Sequence, residues 1–78
     1  MKLKLISAEE VVYEGEVEEV TLPGVMGEFQ VLRNHASLIS MLTAGRVRYR
    51  EANGETSETT IPGGLADIDR NVVSVCIY

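Results

Sequence analysis

Apolar residues recur at every second position over short runs, and this alternation constrains the fold more than any other feature of the chain. Val47 and Tyr49 alternate with the arginines at 46, 48 and 50. Successive side chains of a strand point to opposite faces, so the apolar pair takes one face and the arginines the other. No long run has apolar residues at the spacings of three and four that mark a helix. The pattern therefore predicts strands throughout.

One run departs from strict alternation. Its apolar residues are Val17, Val20 and Leu22, so the spacing falls from three to two. An extra residue in a strand restores the inward face after such a jump. The sequence therefore predicts a β-bulge near Glu18 and Glu19.

Turn residues separate the predicted strands at short intervals. Asn53-Gly54 lies between two strand-like runs, a setting that favours a type I′ hairpin because both central residues of that turn need positive φ. Further turns are predicted at residues 62–64 and 69–71. Turns are also predicted at the glycines earlier in the chain, which include Gly15. About ten short strands then form one domain over residues 1–78: an all-β, two-sheet antiparallel sandwich or flattened barrel, without a helical hairpin.

Composition narrows the possible partners. Seven Lys and Arg against twelve Asp and Glu give a net charge of −5, which disfavours general binding to nucleic acid or anionic lipid. No stretch has the 18 or so apolar residues of a spanning helix, and the N-terminus lacks the pattern of a signal peptide. Any membrane association is thus expected through a partner. The lone Cys76 cannot form an intrachain disulfide, which favours a reducing compartment.

Few residues could support catalysis. His35 is the single histidine, and Cys76, inside an apolar strand, is interpreted as a small core residue. A Ser-His-Asp set could be written from Ser37 or Ser40 with His35 and Asp67, but no nucleophile-elbow spacing accompanies it. A small hydrolase would need His35, and we expect no such activity. No phosphate-binding or EF-hand spacing is present, so no cofactor or metal is predicted.

The row of arginines at 46, 48 and 50 leaves one alternative open. These side chains could receive an anionic ligand, which would make the chain a free-standing ligand-binding sandwich. An arginine row on one strand face is more often solvated surface.

Two segments carry apolar residues where a lone domain gains little from them. Val25 and Met26 stand at the tip of a glycine-bounded turn, and the run 38–42 offers apolar side chains to both faces of one strand. Exposed apolar groups of this kind are typical of surfaces that a partner covers. Folding back onto a small satellite core is the alternative for the turn.

The segments 6–15 (ISAEEVVYEG), 17–29 (VEEVTLPGVMGEF) and 34–39 (NHASLI) resemble the N-terminal domain of the ATP synthase epsilon subunit. The later GRVR at 45–48, GGLA at 63–66 and NVVSV at 71–75 continue the match in order. The resemblance implies a ten-stranded sandwich at the foot of the central stalk of an F-type ATP synthase, bound to the gamma subunit and resting on the c-ring. It also implies a non-catalytic rotor subunit on the cytoplasmic face of a bacterial inner membrane.

The resemblance assigns residues to two surfaces. The c-ring-facing residues are Val25, Met26, Gly27, Glu28 and Phe29, and the gamma-facing residues are Ser7, His35, Ala36, Leu38 and Ser40. The family commonly reads Gly-His-Ala-Pro where this chain has Asn34-His-Ala-Ser37. Many epsilon subunits also carry C-terminal helices that bind ATP or inhibit hydrolysis. No such helices are expected within residues 1–78, so neither an inhibitory role nor a nucleotide is transferred to this chain.

Overall fold

The computed structural model describes all residues from 1 to 78 and contains strands but no helix. The eight strands are β1 (Lys2–Ile6), β2 (Val11–Gly24), β3 (Gly27–Leu32), β4 (Leu38–Leu42), β5 (Gly45–Glu51), β6 (Thr56–Ile61), β7 (Gly64–Asp69) and β8 (Val72–Ile77). None of these elements is a helix long and apolar enough to cross a membrane. The predicted all-β class is confirmed.

The strand count is eight rather than about ten, partly because β2 runs unbroken for 14 residues. The turn predicted at Gly15 is wrong, since this glycine lies inside β2. A Cβ at position 15 would meet the Tyr13 hydroxyl at 2.5 Å. Glycine at position 15 leaves room for the Tyr13 ring. A glycine that permits such a close approach inside a strand cannot be distinguished by sequence from a glycine in a turn.

The long strand β2 joins two halves of the sandwich. Its first half pairs with β1, and its second half pairs with β3 and β5. The first sheet runs β2-β1-β8-β7-β4 and the second runs β3-β2-β5-β6. A single pairing of Gly24 with Leu42 brings the end of β2 to β4 and closes the ring of strands. The flattened barrel predicted from the sequence is the observed architecture.

One pair of strands is parallel, which corrects the prediction of a purely antiparallel sandwich. Strands β1 and β8 run side by side in the same direction, with Leu3 opposite Val73 and Leu5 opposite Val75. All four side chains are fully buried. Parallel pairing is typical of strands whose side chains are covered, and these four belong to the hydrophobic core.

The predicted β-bulge is present. The β2–β5 register shifts between Val17 and Glu19. As a result Val17, Val20 and Leu22 all reach the core, with exposures of 2%, 0% and 0%. The bulge thus converts an irregular sequence spacing into one continuous buried face.

The type I′ turn lies elsewhere than predicted. Only Gly54 of the Asn53-Gly54 pair has positive φ, at 91°. The connection is also closed around three intervening residues, because the N–H of Glu51, the last residue of β5, donates to the carbonyl of Glu55, just before β6, at 2.8 Å. The turn with two positive φ values is Arg70-Asn71, at 50° and 61°, between β7 and β8. A two-residue connection requires this conformation, whereas the longer β5–β6 connection does not.

The core lies between the two halves and is purely hydrophobic. Fifteen buried residues form one cluster: Met1, Leu3, Leu5, Val17, Val20, Leu22, Val31, Leu42, Val47, Tyr49, Ile61, Ala66, Ile68, Val73 and Val75. Val47 and Tyr49 occupy the inner face of β5, as the alternation predicts. Cys76 does not belong to the core and is exposed. Because Val75 faces inward, its neighbour Cys76 must face outward, so the core assignment was wrong.

Candidate partner-binding surface

The β2–β3 turn presents apolar side chains to solvent. Met26 is 97% exposed and Val25 is 56% exposed. Phe29 points back and packs against the core. The predicted exposure of Val25 and Met26 is confirmed, and the satellite-core alternative is wrong.

This turn is held firmly although its tip is exposed. The Val25 N–H donates to the Met41 carbonyl at 3.1 Å, and the Thr43 N–H donates to the Pro23 carbonyl at 2.8 Å. At the base of the turn the Glu28 carboxylate bonds Nη2 of Arg48 at 3.0 Å. The apolar tip is therefore fixed to both β4 and β5 before any partner arrives.

A lateral row of outward-facing apolar residues crosses the first sheet beside this turn. Directly paired residues share a face, and the pairing runs Met41 with Leu65, Leu65 with Cys76, Cys76 with Ile6, and Ile6 with Val11. Met41, Leu65 and Val11 are 55%, 37% and 57% exposed. We call these five residues the apolar row.

The apolar row continues into the β2–β3 turn. Its end residue, Met41, accepts the backbone hydrogen bond from Val25 described above, which brings the two apolar groups side by side. Ile39, two positions before Met41 on the same outer face, is 66% exposed. Apolar exposure of this kind at one end of a small acidic domain is typical of surfaces that a partner covers.

The next rows of the same sheet are charged. Lys4 is opposite both Glu14 and Ser74, and Nζ of Lys2 lies 2.8 Å from Oε2 of Glu14. The hydrogen bond, and next the charge, of Glu14 raise the pKa of Lys2, and the same contact lowers the pKa of Glu14. On β1, β2, β7 and β8 the apolar row is thus bordered by polar and charged residues, whereas on β4 the next row begins with the exposed Ile39.

The gamma-facing residues predicted from the resemblance lie at two ends of the first sheet. Ser7 directly follows β1, at the end where the apolar row lies. Its hydroxyl accepts the N–H of Glu9 at 3.3 Å and of Glu10 at 3.2 Å, which closes a compact turn. His35 and Ala36 lie at the opposite end, before β4. The ring Nδ1 of His35 lies 2.7 Å from the Ala36 carbonyl.

The two remaining gamma-facing candidates are on β4. Leu38 is opposite Ile68 and Ser40 is opposite Ala66, so both share the core side of the sheet. Ser40 is half-buried and Leu38 is 40% exposed. The outward residues of this strand are Ile39 and Met41. Which β4 residues face outward depends on register, and the sequence alone gives no signal for it.

The arginine row faces solvent as predicted, but every arginine has an acidic partner. Arg46 donates to Glu58 at 3.4 Å and Arg48 donates to Glu28 at 3.0 Å. Arg50 forms ion pairs with Glu18 at 3.3 Å and with Glu19 at 3.2 Å. These carboxylates neutralise the positive charge that an anionic ligand would need. The geometry therefore favours solvated surface over the ligand-binding alternative.

The residues of the hypothetical hydrolase set do not converge. Ser37 Oγ donates to Oδ1 of Asp69 at 2.6 Å rather than to His35. Asp67 is opposite Ile39 on the outer face. No group of three or more His, Cys, Asp or Glu side chains is placed to hold a metal ion. These side chains therefore do not form an assembled nucleophile and base.

Comparison with known proteins identifies the family. Residues 1–77 match the beta-sandwich domain of the ATP synthase Delta/Epsilon chain. The chain belongs to this family. The match spans all eight strands, so the family fold and the fold described here are the same unit.

Relatives within the family are named as epsilon chains. The ATP synthase epsilon chain of Wolinella succinogenes is 37% identical over 75 residues, which are 96% of this chain and 57% of that protein. That of Campylobacter jejuni subsp. jejuni is 42% identical over 65 residues, covering 83% and 50%. The chain thus spans little more than half the length of these relatives.

Solved structures show the same sandwich. A chain of the Euglena gracilis mitochondrial ATP synthase, in a structure of OSCP/F1/c-ring, superposes with a TM-score of 0.90 at 26% identity, covering 96% of this chain and 48% of that one. A chain of the Tetrahymena thermophila central stalk and c-ring gives a TM-score of 0.82 at 12% identity, covering 99% and 62%, which shows the fold alone.

Proposed function

We propose that the chain is the sandwich domain of a central-stalk subunit of an F-type ATP synthase. In this role it is non-catalytic and joins the gamma subunit to the c-ring, so that rotation driven by proton flow reaches the catalytic head. Its contact with the membrane is through the c-ring, on the cytoplasmic face of a bacterial inner membrane. Family membership and the bacterial sources of its sequence relatives support this proposal.

The observation that carries the proposal is the exposed apolar end formed by Val25, Met26 and the apolar row. Fully burying a Val or Met side chain contributes about 1.5–3 kcal/mol. The folded domain alone does not gain this stabilisation at Met26, because the side chain is 97% exposed. A partner that covers the tip buries the side chain, so the complex gains this free energy. The fixed position of the turn lowers the entropy cost of binding.

The rest of the domain is built as a stiff body, as a coupling element must be. Of 47 backbone hydrogen bonds, 38 lie within the strand ladders. Strand pairing closes around the core through β2, which contacts both sheets. A force applied at the apolar end is therefore transmitted through paired strands rather than through a flexible linker.

The proposal can be tested with Met26→Asp in the assembled ATP synthase. A charge at the tip should weaken attachment to the c-ring because an unpaired carboxylate buried at an interface is costly. We expect ATP-driven proton pumping by membranes to fall at least about tenfold relative to ATP hydrolysis, equivalent to about 1.4 kcal/mol of lost attachment. The isolated variant should unfold at the wild-type temperature, since the Met26 side chain is 97% exposed.

Ala52→Asp is the matched control. Ala52 is also an exposed apolar residue, but it directly follows Glu51, which pairs with Val17, seven positions along β2 from Gly24 at the base of the turn. This variant should assemble and pump normally. Normal assembly and pumping by the Met26→Asp enzyme would refute a role for the turn in ring attachment.

A further inference from the structure

The loop between β3 and β4 is tied to the β7–β8 turn by three side-chain hydrogen bonds. The Asn34 N–H donates to Oδ1 of Asn71 at 2.6 Å, and Nδ2 of Asn71 donates to Oδ1 of Asn34 at 2.9 Å. Beside them Ser37 Oγ donates to Oδ1 of Asp69 at 2.6 Å. We call the reciprocal Asn34–Asn71 pair the clasp.

Both members of the clasp have left-handed backbone conformations. The φ angle is 64° at Asn34 and 61° at Asn71. Asparagine adopts this region more readily than most residues, and its amide can donate and accept at once. Each asparagine therefore fixes its own backbone bend and also bonds the other loop, which neither a glycine nor an alanine could do.

The clasp holds a loop that has little other support. Besides the clasp and the Ser37 bond, residues 33–37 are anchored by one backbone bond, from the His35 N–H to the Leu32 carbonyl at 3.1 Å. His35 and Ala36 lie between the two tethered positions, Asn34 and Ser37. Fixing a residue's backbone costs conformational entropy, so a tether at each end removes much of that cost from a later binding step.

We propose that the clasp, together with the Ser37–Asp69 bond, positions His35 and Ala36 for contact with the gamma subunit. This inference rests on the proposed function. In the family pattern, glycine and proline occupy the positions of Asn34 and Ser37, and they set the backbone through their own φ preferences. Here hydrogen bonds to the β7–β8 turn do the same. Asn71 and Asp69 are thus positioning residues that need not touch the partner.

Asn71→Gly is the decisive variant. Glycine permits the positive φ of the turn, so the substitution removes both clasp bonds without straining the backbone. Asn71→Asp retains an acceptor for the Asn34 N–H but cannot donate to Asn34 Oδ1, and should give an intermediate result. Asn53→Gly is the matched control. It removes a side-chain hydrogen bond from a different turn, where the Glu55 N–H donates to Oδ1 of Asn53 at 2.9 Å.

Hydrogen exchange of the isolated domain tests the clasp itself. In Asn71→Gly the Asn34 amide should exchange about 5- to 10-fold faster, the effect of about one net hydrogen bond. Amides of the core strands should be unchanged. An unchanged exchange rate of the Asn34 amide would overturn the clasp, independently of any result on binding to the gamma subunit.

Titration with the gamma subunit from the same organism tests the positioning role. We expect affinity to fall about 3- to 10-fold in Asn71→Gly, less in Asn71→Asp, and not at all in Asn53→Gly. Faster exchange with unchanged affinity would overturn the positioning role alone. Failure of the wild-type chain to bind gamma would instead overturn the proposed function.

Discussion

Tyr13 makes the stability of the domain depend on alkaline pH. Its ring lies 4.5 Å from that of Tyr49, and its hydroxyl donates to Oε1 of Glu51 at 3.1 Å. Burial, followed by the bond to the Glu51 carboxylate, raises the pKa of Tyr13 from 10.0 to about 12. The folded domain therefore disfavours the tyrosinate, which the unfolded chain forms readily.

The sign and size of the effect follow from these two pKa values. The stabilisation is fully present below the unfolded pKa of 10.0 and is lost as pH rises toward the folded pKa of about 12. Linkage gives a loss of about 1.4 kcal/mol at about pH 11 and about 2.3 kcal/mol at about pH 12. Tyr13 is only half-buried, so solvent screening makes these figures upper bounds.

The assay is urea unfolding of wild type and Tyr13→Phe between about pH 7 and about pH 11.5. Phenylalanine cannot ionise, so the difference in unfolding free energy between the two proteins should shrink above about pH 10. Lys2, whose pKa is also raised, titrates in both proteins and cancels in the difference. Parallel pH profiles for the two proteins would refute the reasoning.

Two further predictions concern the strands around the surface. A Cβ at Gly64 would clash with the Cys76 carbonyl oxygen, so Gly64→Ala should open the β7–β8 pairing and cost about 1–3 kcal/mol in denaturant unfolding. A cost below about 0.5 kcal/mol would contradict the close approach. Arg48→Ala breaks an exposed ion pair and should change stability by less than about 1 kcal/mol. Polyanion titration of wild type at physiological salt should show no saturable binding, and saturable binding lost in Arg48→Ala would favour the ligand-binding alternative.

The sequence determined which face of each strand meets the core wherever alternation was clear. Val47 and Tyr49 are buried and the arginines beside them exposed, because period-two alternation is a property of the strand itself. The bulge after Val17 could also be predicted from the sequence. An odd spacing between two core residues of one strand leaves one extra residue, which a bulge accommodates. The exposed tip at Val25 and Met26 followed from apolar residues in a glycine-bounded turn.

Turn types are harder to predict from the sequence, because they depend on the length of the connection between paired strands. Asn53-Gly54 has the residues of a type I′ turn but lies in a longer connection, whereas Arg70-Asn71 adopts that turn without a glycine. Cys76 was misplaced for a related reason: an apolar strand with residues of similar size on both faces does not show which face is inner.

Tertiary structure alone decided what lies side by side across the sheet. The apolar row combines Met41, Leu65, Cys76, Ile6 and Val11 from five strands, and the clasp joins Asn34 to Asn71 across 37 positions. Alternation fixes a side chain's face within its own strand. Lateral neighbours are instead set by register and strand order, which arise from long-range pairing such as that of β1 with β8. The sequence therefore predicted exposed apolar side chains, and only the folded sheet shows which of them lie next to one another.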